Sequence, residues 1–64
     1  MTYDAFSRAA LSRAPVFAVK PDQSILHGWA VSALRNGFCR ILDDRGVVHL
    51  HHLRYVFDDW RPAT

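Results

Sequence analysis

Residues 38–51 read FCRILDDRGVVHLH, and no other stretch of this 64-residue chain has so clear a structural signature. Two short runs of apolar and β-branched residues flank the turn sequence Asp43-Asp44-Arg45-Gly46. An aspartate at the start of a turn can bond to the backbone that follows it, and a glycine can adopt a positive φ. The stretch therefore predicts a β-hairpin with strands over 38–42 and 47–51.

The register of this hairpin decides which side chains share a face. We expect Leu42 to pair with Val47 across the turn. Because side chains alternate along a strand, this register predicts a core face made of Cys39, Ile41, Val48 and Leu50. The opposite face then carries Phe38, Arg40, Leu42, Val47, His49 and His51.

Two further elements are predicted before the hairpin. Residues 2–13 have apolar residues at helical spacing, Thr2 or Asp4 can cap the first turn, and Pro15 ends the helix. Residues 16–19 are β-branched, aromatic or small and lie between two prolines, which indicates a short strand.

Residues 25–34 allow two interpretations. Their apolar residues recur with a period nearer to 3.6 than to two, which favours a helix over 23–35 capped by Asp22 or Ser24. Asn36-Gly37 would end that helix, but the same dipeptide is also a strong hairpin signal. In that alternative, residues 25–34 form a strand and the protein is a small all-β barrel of the SH3 or OB type. The helix is the preferred interpretation.

The C-terminal residues also carry two signals. Leu53, Val56, Phe57 and Trp60 have helical spacing, whereas residues 54–57 have strong strand propensity. We favour a helix here and expect residues 61–64 to be a frayed tail.

These elements predict an α+β fold in the order α-β-α-β-β-α, with helices packed on a short antiparallel sheet. The chain is short enough that residues 1–64 should form a single compact domain. Half of the residues are hydrophobic and the formal net charge is only +2, which excludes the composition of a disordered chain.

Composition also bears on assembly and location. The single cysteine, Cys39, cannot form an intramolecular disulfide, and no Cys/His framework for structural zinc is present. A core this small commonly gains stability by association, so a homodimer is one expectation. The N-terminal segment is interrupted by charges, so we expect no signal peptide or membrane association and a cytoplasmic location.

His49 and His51 are the candidate metal ligands, because alternate residues of a strand point to one face and two imidazoles can then chelate an ion. The pattern lacks the remaining ligands of a complete site. We therefore expect neither a metal nor another cofactor.

Nucleic-acid binding is an alternative function. A helix over 23–35 followed by a hairpin would resemble the recognition helix and wing of a DNA-binding domain, with Arg35, Arg40 and Arg45 as phosphate contacts. Asp43 and Asp44 at the tip of the wing would repel phosphate.

The preferred hypothesis is a non-catalytic module that binds another protein. Phe38, Arg40, His49, His51 and Tyr55 are the candidate binding residues, since aromatic and arginine side chains dominate interface hot spots. No acid-base pair, activated nucleophile or phosphate loop indicates an enzyme. Size and composition fit a small prokaryotic, phage or plasmid accessory protein that regulates or inhibits a larger complex.

Overall fold

The computed structural model describes residues 1–59 and contains, in that range, one α-helix and one five-stranded antiparallel sheet. The strands lie in the order β4-β3-β2-β1-β5. The α+β class is confirmed, although a single α-helix packs on the sheet rather than several. The elements are α1 (Tyr3–Leu11), β1 (Pro15–Val19), β2 (Ile25–Ala33), β3 (Phe38–Leu42), β4 (Val48–His52), the 3-10 turn η1 (Leu53–Tyr55) and β5 (Val56–Asp58).

The predicted N-terminal helix is confirmed and is capped as expected. The side chain of Thr2 accepts a hydrogen bond from the backbone N–H of Ala5 at 3.1 Å. The helix lies against β2 and buries Phe6 completely. The Met1 ammonium donates to the carbonyls of Leu53 and Val56, each at 2.7 Å, and so ties the start of α1 to the end of the chain.

The helix predicted over 23–35 is wrong, and the strand alternative for this segment is correct. Residues 25–33 form β2, which pairs with β1 on one side and β3 on the other. Only Gly28 and Ala30 of β2 are buried, but apolar residues occupy both of its faces, so a period of two is not visible and periodicity alone cannot distinguish this strand from a helix. Asp22 accepts from the N–H and hydroxyl of Ser24 in a tight turn and does not cap a helix.

Asn36 and Gly37 form the turn that joins β2 to β3. Gly37 has a φ of 90°, and the Asn36 side chain accepts from the N–H of Phe38 at 3.1 Å. Leu34 donates to the Phe38 carbonyl at 2.8 Å and closes the turn. The dipeptide is therefore a hairpin signal in this protein and not a helix end.

The β3–β4 hairpin is present, but its register differs from the predicted one by a residue. Leu42 pairs with Val48 and not with Val47. The reason is the Asp43 side chain, which accepts from the N–H groups of both Arg45 and Val47 at 2.9 Å and so holds Val47 within the turn. A shift by one residue exchanges the two faces of a strand.

The C-terminal helix prediction is also wrong for the residues that the structure describes. Residues 53–55 form a single 3-10 turn, after which Val56–Asp58 pair with β1 as β5. The strand propensity of 54–57 was thus the better signal. Trp60 and the predicted tail at 61–64 lie outside the described residues.

The core lies between α1 and one face of the sheet. Burial raises the pKa of the Cys39 thiol to about 11, because ionisation there would place a charge among apolar side chains. The thiol is therefore neutral and packs as a small apolar group. The buried hydrophobic residues of this core are Phe6, Val16, Ala18, Ala30, Cys39, Ile41, Leu53 and Val56.

Gly28 allows β2 and β3 to approach each other, which provides a test of the strand assignment. A Cβ at this position would lie 2.4 Å from the Leu42 carbonyl oxygen and 2.7 Å from Ile41 Cγ2. We expect Gly28→Ala to lower the free energy of unfolding by about 2 kcal/mol in urea titrations, because the backbone must shift. A helix at 25–34 would instead be stabilised by this change, by about 1 kcal/mol.

Gly46→Ala is the matched control. Gly46 has a φ of 83°, but no atom lies within 4 Å of a Cβ built there. This variant should lose only the strain of a left-handed alanine, about 1 kcal/mol. A Gly28→Ala variant as stable as the wild type would contradict the close packing of β2 on β3.

Candidate binding groove

The hairpin register places the predicted binding residues on two opposite faces of the sheet. Phe38 and Arg40 lie on the outer face of the sheet, which faces away from α1. His49 and His51 pair with Ile41 and Cys39 and lie on the core side, contrary to their predicted position beside Phe38 and Arg40. Val48 and Leu50, predicted in the core, are 51% and 58% exposed on the outer face.

His49 is bound to the hairpin turn and does not project into a site. Its Nε2 lies 2.7 Å from a carboxylate oxygen of Asp43, and its side chain is only 30% exposed. The hydrogen bond to His49, together with the backbone N–H of Val47, lowers the pKa of Asp43 to about 2. This histidine therefore supports the turn that sets the register.

A groove with a volume of about 730 Å³ opens beside β4. Its volume falls within the range of small-molecule and peptide sites. One side is the β1–β2 turn, and the other is formed by the end of β4 and by η1. The lining residues are Val19, Lys20, Pro21, Gln23, Phe38, Leu50, His51, His52, Arg54 and Tyr55.

The groove brings together three of the five predicted binding residues, Phe38, His51 and Tyr55. Burial is the main cause of a lowered pKa for His51, and the nearby His49 and Lys20 add to it. The imidazole is therefore less basic than an exposed histidine and favours its neutral form.

The turn that forms one wall is held by its own hydrogen bonds. Lys20 donates its N–H to the Ser24 carbonyl at 2.8 Å, and Gln23 donates to the Lys20 carbonyl at 3.0 Å. Gln23 has a φ of 72°, which for a side chain larger than glycine is an uncommon conformation that these bonds stabilise. Lys20 and Pro21 are thereby presented to the groove on a short, closed turn.

The opposite wall is organised by His52. Its ring packs edge to face on Phe38, with centroids 5.0 Å apart. Its Nδ1 accepts from the backbone N–H of Arg54 at 3.2 Å and from the Arg54 Nε–H at 3.3 Å. Gly37 leaves room for this ring, since a Cβ there would lie 2.9 Å from Nε2. His52 therefore orients the Arg54 guanidinium at the groove.

The charged side chains that line the groove are all positive. Lys20 and Arg54 are cations, and none of the lining residues is aspartate or glutamate. Phe38, Tyr55 and Leu50 add apolar surface, and Tyr55 is 53% exposed. The groove can thus bind a ligand that combines a negative charge with apolar groups.

Sequence reasoning missed much of this site. Leu50 was assigned to the wrong face, and Lys20, Pro21, Gln23, His52 and Arg54 were not singled out. Lys20, the only lysine of the chain, could have been found from the sequence. Once residues 25–33 are read as a strand, residues 20–24 must form a tight turn, and Lys20 is its first residue. The contact of this turn with η1 depends on the tertiary fold.

The arginines proposed as phosphate contacts are spread along the length of β3. Arg35 lies in the β2–β3 turn and Arg45 in the β3–β4 turn, at opposite ends of β3. Arg40 lies between them and donates to the Ser32 hydroxyl at 3.3 Å. The recognition helix on which this set depended is strand β2. Across residues 1–59, moreover, no group of three or more potential ligands is arranged to hold a metal ion.

The pKa of Asp43 predicts an acid-dependent stability. Because its folded pKa of about 2 lies below its ordinary value of 3.8, the stabilisation is complete above that value and is lost as the pH falls through about 2. We expect the free energy of unfolding to decrease more steeply in wild type than in Asp43→Asn between about pH 4 and pH 2, measured by urea titration.

Asp44→Asn serves as the control for this comparison, because it removes the same charge from the exposed part of the same turn. It should retain the acid dependence of the wild type. Equal pH profiles for Asp43→Asn and wild type would show that ionisation of the Asp43 carboxylate adds nothing to stability.

Comparisons with known proteins do not assign a family. No protein-family model matches the chain, and searches of curated proteins and of solved structures found no match. Within the described part of the chain, no helix is long and apolar enough to cross a membrane. Function is therefore argued from the groove.

Proposed function

We propose that this protein is a non-catalytic binding module that docks on a larger protein complex by taking an acidic segment of its partner into the groove. The observation that carries the proposal is the lining, in which Lys20 and Arg54 flank aromatic and apolar side chains and no carboxylate is present. Such a lining attracts carboxylates and gives their neighbouring apolar groups a surface to bury.

The exposed side chains of the groove provide the binding energy in this proposal. Leu50 and Tyr55 are more than half exposed, so a ligand can still bury much of their apolar surface. Arg54 is already oriented by His52, which reduces the entropy lost when its guanidinium binds a carboxylate. Tyrosine and arginine are also the residue types that most often form hot spots.

The chemistry of the groove supports binding without catalysis. Among residues 1–59, its lining contains no serine, threonine or cysteine to act as a nucleophile and no carboxylate to act with a histidine. Cys39 is buried with a raised pKa, and His49 is engaged by Asp43. These two side chains thus have structural roles outside the groove.

Single-stranded nucleic acid is the second candidate ligand, because aromatic side chains beside cations also stack bases and neutralise phosphates. Lys20 and Arg54 can neutralise only a few phosphates, which favours the acidic protein segment. Nucleic-acid binding would decrease steeply with salt and would not require an acidic peptide.

A selection from a random peptide library on the immobilised protein tests the proposal. We expect enrichment of peptides that combine aspartate or glutamate with apolar residues. Arg54→Ala should weaken the selected peptides about tenfold in fluorescence anisotropy, because a charge-assisted hydrogen bond is lost.

Arg45→Ala is the matched control, since it removes the same charge from the β3–β4 turn, outside the groove. It should leave the affinity unchanged. Selection without acidic enrichment, or binding that is equal in Arg54→Ala and wild type, would contradict the proposal. Preferential binding of a single-stranded oligonucleotide with a steep salt dependence would favour the second candidate.

A further inference from the structure

Strand β4 has an open edge. In the part of the chain that the structure describes, β4 pairs with β3 alone and stands at the end of the strand order. Its exposed edge therefore carries backbone donors and acceptors that no neighbouring strand occupies.

Two hydrogen bonds show which residues supply that edge. The N–H of Asp43 donates to the Val47 carbonyl, and the N–H of Leu53 donates to the Gly37 carbonyl, both at 2.9 Å. Residues 47 and 53 thus direct backbone groups toward β3. Because this direction alternates along an antiparallel strand, the intervening groups that point outward belong to Val48, Leu50 and His52.

The open edge of β4 forms one side of the groove. Leu50, His51 and His52 line the groove from the β4 side, and Lys20 and Pro21 line it from the β1–β2 turn. The outward N–H and carbonyl of Leu50 and the outward N–H of His52 therefore lie beside the groove, whereas the His52 carbonyl belongs to the first turn of η1.

This edge lacks the features that usually prevent strand addition. Val48–His52 contains no proline or lysine, and its pairing with β3 is regular, without a bulge. Val48 and Leu50 expose more than half of their surface beside it. Such an edge is a template for another extended chain.

We propose that the acidic segment binds as an additional β-strand on the open edge of β4, an inference that rests on the proposed function. The segment's backbone pairs with the N–H and carbonyl of Leu50 and with the N–H of His52, and its carboxylates lie toward Lys20 and Arg54. Backbone pairing supplies affinity that does not depend on sequence, and the cations supply the preference for acidic side chains.

Charge argues for an acidic partner and against a second copy of this chain. Two copies paired through β4 would join their two grooves and bring Lys20 and Arg54 of both copies together. The lining has no carboxylate to offset that repulsion. A segment of opposite charge meets no such penalty.

The test uses a short blocked peptide of alternating valine and glutamate, long enough to span β4, and the full chain. We expect it to bind more tightly than a valine–lysine peptide and to slow hydrogen exchange at the Leu50 and His52 amides, measured by NMR. N-methylation of alternate peptide amides on the pairing side should weaken binding about tenfold, because backbone hydrogen bonds are lost.

Leu50→Pro is the corresponding change in the protein. The Leu50 N–H points away from β3, so a proline there removes an outward donor without breaking the β3–β4 ladder. Leu50→Ala is its matched control, because it shortens the same side chain and keeps the donor. We expect Leu50→Pro to weaken peptide binding about tenfold relative to Leu50→Ala.

The outcomes separate this inference from the proposed function. Binding that is unaffected by N-methylation and leaves Leu50 and His52 unprotected would overturn strand addition and leave acidic docking in the groove intact. Absence of binding by every acidic peptide would overturn both. Protection of the same amides without peptide, together with a doubled mass in solution, would identify a second copy as the occupant and overturn the choice of partner.

Discussion

The arrangement of the hairpin depends on the hydrogen bonds of the Asp43 carboxylate. This carboxylate accepts the N–H groups of Arg45 and Val47 and also binds His49, so the turn retains Val47 and β4 begins at Val48. Because a strand alternates in side chains and in backbone direction, this single turn decides two properties of β4 together. It places Leu50 on the outer face and directs the Leu50 N–H to the open edge.

The candidate groove follows from that placement and from the length of β2. β2 is nine residues long and pairs with β1 through its first half and with β3 through its second half, so the β1–β2 turn reaches the side of the molecule where β4 ends. Gly28 permits the close approach of β2 and β3 that this requires. His52 then connects β4 to η1 and orients Arg54. Side chains that are far apart in sequence thereby surround one cavity.

Three histidines lie close together in the sequence and have mainly structural roles: His49, His51 and His52. His49 supports the hairpin turn, His52 caps η1 and packs on Phe38, and only His51 is a groove residue without such a bond. The proposed recognition chemistry belongs instead to Lys20, Arg54 and the exposed apolar groups beside them. Their composition is ordinary, and only their convergence makes them a candidate site.

The amino-acid sequence by itself determined the local elements whose signals lie within a few residues. Thr2 caps α1, Pro15 lies after the end of α1 and begins β1, and the Asp43–Gly46 turn defines a hairpin. The sequence also named Phe38, His51 and Tyr55 as candidate binding residues, but it did not place them in one groove. Whether 25–33 is helix or strand was decided by pairing with β1 and β3, because apolar residues on both faces of a strand conceal its period of two. The register, the open edge and the groove were likewise decided by tertiary structure, since each depends on side-chain–backbone bonds and strand partners that no local pattern encodes.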